Sequence, residues 1–208
     1  MTGFVQKTGF FMTNIAIFAS GNGSNAENII SYFSGSSTIR VTLIVSNKEE
    51  AYVHTRAKAL EIPSCTFSKA EFDGGVPVLD ALRRYDIDFI VLAGFLLKVS
   101  QPLLDAFPGR ILNIHPALLP KHGGKGMYGD RVHQAVVDAG DTESGITIHY
   151  INENYDEGDI LFQATCDVLP TDSADDVAKK VHELEYLHFP EVIEKALKKA
   201  FPLSDGDR

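Results

Sequence analysis

Apolar runs of strand length recur through the first half of the chain, at Asn14–Ala19, Ile39–Val45, Phe89–Ala93 and Ile111–Ile114. Each is bounded by Gly, Asn, Ser or Asp, and helical-looking segments fill the intervals. Alternation of strand and helix predicts a parallel sheet. The run Phe89-Ile90-Val91-Leu92-Ala93 has no in-out alternation, so its strand is expected to be covered on both faces. The first half therefore reads as a doubly wound α/β fold.

After Ser144 the pattern changes to Gly145–Ile151 and Ile160–Val168, joined by the short polar segment Asn152–Asp159. So short a connection allows an antiparallel return, which makes the sheet mixed on that side. The last stretch opens at Ser173 as an N-cap, with Asp175 and Asp176 in its first turn, and continues through Val177, Val181, Leu184, Val192, Ile193 and Leu197 at helical spacing. Pro190 is expected to kink or split this helix.

At 208 residues and 44% hydrophobic composition, the chain is long enough for one cored domain. We assign that domain to residues 12–208 and treat Met1–Phe11, whose only charge is Lys7, as an N-terminal extension outside the fold. A formal charge of -9 removes a broad footprint for nucleic acid or an anionic bilayer, so a phosphate site must be local. Cys65 and Cys166 match no metal-ligand spacing and form no disulfide framework, which suits a reducing compartment and packing duty. No apolar run approaches the roughly 20 residues that span a bilayer. A cytoplasmic enzyme without metal is the resulting expectation.

Two places carry candidate chemistry. The first strand runs into Ser20-Gly21-Asn22-Gly23-Ser24-Asn25 and then a helical stretch, Ala26–Phe33. Free N–H groups at a helix start, with the positive dipole end, can hold an anion, and Ser24 and Asn25 add donors. The same turn could simply be tight, with Ser24 capping the helix. It is neither the dinucleotide nor the P-loop glycine pattern, and Ser46-Asn47 stand where a nicotinamide enzyme needs an acidic ribose partner. At the second place, Asn113 and His115 sit two apart at the end of a strand, the edge where open α/β sheets bind ligands. One can serve an oxyanion while the other manages a proton. The acidic segment Asn152–Asp159 reads, by composition, as an ordinary turn.

Five strings occur in order: SGNGSN at Ser20–Asn25, VLAGF at Val91–Phe95, LNIHPALLP at Leu112–Pro120, GITIH at Gly145–His149 and DEGDILFQ at Asp156–Gln163. Together they resemble successive motifs of the phosphoribosylglycinamide formyltransferases, within the folate-dependent formyltransferase family. The resemblance implies a Rossmann-like three-layer fold with a mostly parallel central sheet and antiparallel strands in the C-terminal half. It implies formyl transfer from 10-formyltetrahydrofolate to the amine of 5'-phosphoribosylglycinamide, in de novo purine synthesis, through a tetrahedral intermediate. Both partners are small molecules; the expected assembly is a monomer or homodimer.

By the same resemblance, Asn113, His115 and Asp156 are catalytic, with Asp156 raising the His115 pKa. Gly23, Ser24 and Asn25 hold the substrate phosphate, and His182 and Glu185 contact the glycinamide substrate. Leu96, Leu97, Lys98, Val99 and Asn113 meet the folate, together with the Asn152–Asp156 loop and Lys69. Leu97 departs from the Arg that many members carry, which leaves Lys98 to reach the glutamate tail. The segment Lys121–Gly129 is longer than the turn of many relatives and reads either as a lid or as a surface loop.

Overall fold

The computed structural model describes residues 12–154 and 156–202; the expected extension 1–11 lies outside them. Chain order is β1 (Thr13–Phe18), α1 (Ser24–Phe33), β2 (Ile39–Ser46), α2 (Val53–Ala59), β3 (Ser64–Thr66), α3 (Lys69–Gly74), α4 (Val76–Arg84), β4 (Phe89–Leu92), α5 (Gln101–Ala106), β5 (Ile111–His115), α6 (Asp130–Asp138), β6 (Glu143–Tyr150), β7 (Ile160–Asp167) and α7 (Ala174–Ala200). The strands form one sheet in the order β3-β2-β1-β4-β5-β6-β7. The pairs from β3 to β5 are parallel, whereas β5–β6 and β6–β7 are antiparallel.

Side-chain alternation on the central strands builds a core on each face. Ile15, Ile17, Phe89 and Val91 enter one cluster, which α1 and α7 complete. Ala16, Phe18, Ile90 and Leu92 enter the other, covered by α3, α4 and α5. Because both faces are covered, these strands must be apolar at every position, which is the pattern the sequence displays. Full burial of a side chain such as Phe18 or Phe89 contributes roughly 2–3 kcal/mol.

Strand order reverses between β1 and β4, so the loops leaving their C-terminal ends diverge and open a crevice. Ser20 ties the two loops together: its N–H donates to the Gly94 carbonyl at 3.0 Å, and its hydroxyl accepts from Leu96 N at 2.9 Å while donating to Asn47 Oδ1 at 2.6 Å. Asn47 is thus committed to holding the rim together.

The expected break at Pro190 does not divide the last helix, which runs unbroken over Ala174–Ala200 from a capping box between Ser173 and Asp176. Pro190 has no N–H for the Tyr186 carbonyl one turn back. Asn28 Nδ2 supplies that bond instead, at 2.9 Å. Burial of Phe189, Pro190, Val192 and Ile193 against the sheet holds the turn in place. The edge strand β3, only three residues long, was not among the expected elements.

Candidate active site

β5 presents Asn113 and His115 on the same side, and the β5–β6 register places Asn113 directly opposite His149. Asn113 Nδ2 lies 3.1 Å from His149 Nε2. Asp156 reaches this pair from the β6–β7 connection: its carboxylate oxygens are 3.8 Å from His115 Nδ1 and 3.7 Å from His149 Nε2. Asp156 has φ 55, and its Oδ2 accepts the Gly124 N–H at 2.9 Å, so the Lys121–Gly129 segment helps hold the carboxylate in place. The segment therefore contributes backbone to the site, whatever its motion.

Hydrogen-bond chemistry fixes the proton positions. His115 Nε2 is 2.8 Å from the His122 carbonyl, which can only accept, so Nε2 carries the proton and the Nδ1 lone pair faces Asp156. His149 Nδ1 donates to the Tyr150 carbonyl at 3.0 Å, which leaves Nε2 to accept from Asn113. The Asn113 amide keeps its second N–H for another acceptor.

Asp156 pulls the His115 pKa upward, as expected, yet the net shift is downward. His115 is only 3% exposed, and the cost of burying an imidazolium outweighs the pull of Asp156, so its pKa is lowered. His149, fully buried, is lowered for the same reason. Both rings are neutral at neutral pH.

Beneath these groups, a buried knot fixes the chain that follows β5. Thr147 Oγ1 donates to the Ala117 carbonyl at 2.7 Å and accepts from Leu119 N at 3.0 Å and Gln163 Nε2 at 2.8 Å. Gln163 Nε2 also reaches the Leu119 carbonyl at 3.1 Å. The final residue of the DEGDILFQ string thus anchors the loop that carries His122.

At the first loop, the N-cap of α1 is Gly23 and not Ser24, and no side chain caps the helix. The first-turn N–H groups therefore point out of the helix without a side-chain partner. Gly23 has φ 76, and a Cβ there would meet Val53 Cγ2 at 2.5 Å, so neither conformation nor space admits another residue. Arg56 braces the loop by donating to the Asn22 carbonyl at 3.0 Å and Asn22 Oδ1 at 2.8 Å, and it pairs with Glu27. Asn25 Nδ2 donates to Glu185 Oε2 at 2.8 Å, and His182 Nδ1 lies 2.9 Å from the same oxygen. Glu185 is 4% exposed, and its bond holds the His182 pKa above the usual value. Buried His133 of α6 packs edge-on against His182, with ring centroids 6.1 Å apart.

Sequence reasoning did not single out His149, His122 or His133. His149 stands inside the GITIH string, yet only the register of β6 on β5 reveals that it faces Asn113. On the other side of the crevice, Leu96 is 39% exposed, while Phe95, Leu97 and Ile151 pack on one core cluster. Val99 is buried within that cluster, so its side chain supports the wall from behind. Lys98 is exposed. Lys69 pairs with Asp73 along α3, and Phe72 of the same helix packs 5.0 Å from the Phe95 ring. Cys65 and Cys166 are half-buried, and burial pushes both thiols up. Among the described residues, no group of three or more His, Cys, Asp or Glu side chains could hold a metal ion, and no helix is long and apolar enough to cross a membrane.

Known proteins share this arrangement of sequence and fold. The family model described as "Formyl transferase" matches residues 13–193. The chain is 44% identical over 185 residues to the chloroplastic phosphoribosylglycinamide formyltransferase of Arabidopsis thaliana, covering 86% of this chain and 63% of that protein. The match thus spans less than two thirds of that relative's length. It is 38% identical to phosphoribosylglycinamide formyltransferase of Haemophilus influenzae, over 88% of this chain and 86% of the relative. The crystal structure of phosphoribosylglycinamide formyltransferase from Bacillus halodurans superposes with a TM-score of 0.82 at 34% identity, covering 90% of this chain and 97% of that one. On the family match and the shared fold, this chain belongs to the formyl transferase family.

Proposed function

We propose that the protein transfers a formyl group from 10-formyltetrahydrofolate to the amine of 5'-phosphoribosylglycinamide, a step of de novo purine synthesis, and that residues 12–208 act as one catalytic unit. The observation that carries this reading is the meeting of Asp156, from a loop between two late strands, with His115 and Asn113 at the rim of the sheet. Ordinary turn residues have no reason to be folded back onto a buried imidazole.

The phosphate belongs at the start of α1, where Gly23 allows close approach and the N–H groups of Ser24 and Asn25 face outward. Glu185 and His182, tied to Asn25, are placed to receive the polar body of the same substrate. The folate fits the opposite wall, where exposed Leu96 and the adjoining Leu97 and Ile151 offer apolar surface beside backbone polar groups of Asn152. Lys98, exposed on the same segment, is assigned to the glutamate tail.

Chemistry then falls to three groups. As the amine adds to the formyl carbon, the carbonyl oxygen becomes an oxyanion; the spare Asn113 N–H stabilises it, a contribution of about 3–4 kcal/mol for a preorganised donor. The attacking nitrogen must lose a proton and the folate nitrogen must gain one. Neutral His115 can accept a proton at Nδ1, where the Asp156 carboxylate stabilises the imidazolium that results, and can release it to the leaving nitrogen. The net change is one N–C bond formed, one N–C bond broken and one proton moved.

A spectrophotometric assay of 10-formyltetrahydrofolate consumption, run with and without 5'-phosphoribosylglycinamide, tests the reading. Loss that requires the acceptor is expected. Loss independent of it would indicate a hydrolase, and no loss in either arm would end the proposal.

A further inference from the structure

Outside the Asn113, His115 and Asp156 group lies a second set of charged side chains that the chemistry above leaves unused. His122 Nε2 is 2.7 Å from Asp141 Oδ2, and Lys121 Nζ is 2.9 Å from Asp141 Oδ1. Asp141 stands just before β6 and is largely buried, with 17% of its side chain exposed, while Lys121 extends into solvent. The bonds from His122 and Lys121 hold the Asp141 carboxyl below its usual range, so it is charged at neutral pH.

His122 itself has φ 53, the left-handed region that a non-glycine residue occupies only when its surroundings compel it. Its carbonyl is the acceptor for His115 Nε2–H at 2.8 Å. An imidazole with one ring nitrogen tied to a fixed carbonyl has its tautomer chosen for it. Here the choice leaves the lone pair on Nδ1, the nitrogen that faces Asp156.

We propose that Asp141 is a positioning residue for His115: by clasping the His122 side chain it holds the His122 carbonyl in place, and that carbonyl keeps the His115 proton on Nε2. The inference deepens the functional reading and rests on it only for its kinetic consequence. Without the clasp, the loop is free to leave the left-handed conformation and withdraw the carbonyl. His115 would then populate both tautomers, and the form with a proton on Nδ1 has no lone pair facing Asp156.

The test combines 15N NMR of histidine-labelled protein, with the His115 signals assigned by comparison with His115→Gln, and steady-state kinetics. The unmodified enzyme should show His115 in the Nε2–H form. Asp141→Ala should shift it to a mixture and lower kcat about 10- to 100-fold, the usual cost of losing an outer partner of a site histidine, with both KM values within about twofold. His122→Ala, which leaves Asp141 paired with Lys121, should do the same and serves in its place if Asp141→Ala does not fold. Because the two act as one unit, the double variant should be no worse than either single one. Lys121→Ala should retain both tautomer and kcat within about twofold. An unchanged His115 tautomer in the Asp141 and His122 variants, or losses that multiply in the double variant, would overturn the proposal. The tautomer measurement needs no turnover, so an enzyme inactive in formyl transfer would refute the functional reading and leave this one decidable.

Discussion

Asp156→Asn is the most informative single change, because it removes a charge while keeping shape, backbone and one hydrogen bond. Asp156 has φ 55, a conformation that asparagine tolerates nearly as well as aspartate, and an amide oxygen can still accept from Gly124 N. Alanine would mix backbone strain with the loss of charge. With His115 and Asp156 both mostly buried, an effective dielectric of about 20 gives roughly 4 kcal/mol between a proton on Nδ1 and the carboxylate at 3.8 Å. That energy is felt only once the imidazolium forms, so it lowers the barrier without tightening ground-state binding. The expected result is a fall in kcat of about 10³-fold, since each factor of ten corresponds to about 1.4 kcal/mol. KM values should change little, and the thermal melt should stay within a few degrees of the parent. Steady-state kinetics with both substrates saturating, beside a melting curve, measures this. A kcat within tenfold of the parent at unchanged stability would refute the role given to the carboxylate.

Other consequences follow from the same geometry. Asn113→Ala removes the spare N–H and should cost about 10²- to 10³-fold in kcat, read in the same assay; an unaltered kcat would place the oxyanion elsewhere. Gly23→Ala puts a Cβ 2.5 Å from Val53 Cγ2 at φ 76, and should destabilise by about 1–3 kcal/mol in urea titrations while raising KM for the phosphorylated substrate. Burial holds His115, His133 and His149 below the usual 6.5, so as pH falls the unfolded chain takes up protons first. Stability is therefore greatest above 6.5 and declines as pH drops from there toward the folded values. His182, raised by Glu185, opposes this: its contribution is present below 6.5 and is lost as pH rises through its folded pKa. Three groups against one give a lower Tm at about pH 5 than at about pH 7.5, and the reverse order in calorimetry would contradict the burial argument.

Central strands and candidate chemistry were legible for physical reasons. A parallel strand covered on both faces has to be apolar, so β4 stands out as an unbroken run. β1, β2 and β5 still show through as mostly apolar stretches, interrupted by Asn14, by Arg40 and Thr42, and by Asn113. Short peripheral elements carry no such signal: β3 is three half-exposed residues, and its pairing depends on β2 already being in place. Pro190 does not split α7, because Asn28, distant in sequence and invisible to a local rule, supplies the bond the proline cannot. For the site, the pairing of Asp156 with His115 could be expected from family motifs, but the sign of the His115 shift could not. A neighbouring carboxylate can be anticipated from sequence, whereas the desolvation that outweighs it belongs to the folded packing. The same holds for His149 and His122, which enter the site through strand register and a left-handed turn, neither of which leaves a mark in composition.

The central claim is that one crevice brings an amine and a formyl donor together over Asn113, His115 and Asp156. A crystal structure with 5'-phosphoribosylglycinamide and a non-reactive folate analogue bound together tests it most directly. The account predicts the phosphate at the N–H groups of Ser24 and Asn25, the pterin ring beside Leu96 and Asn152, and the acceptor amine and folate nitrogen both within hydrogen-bond reach of the His115 and Asn113 side chains. Ligands bound at separate places, or a reacting nitrogen with the wall of the sheet between it and His115, would contradict it.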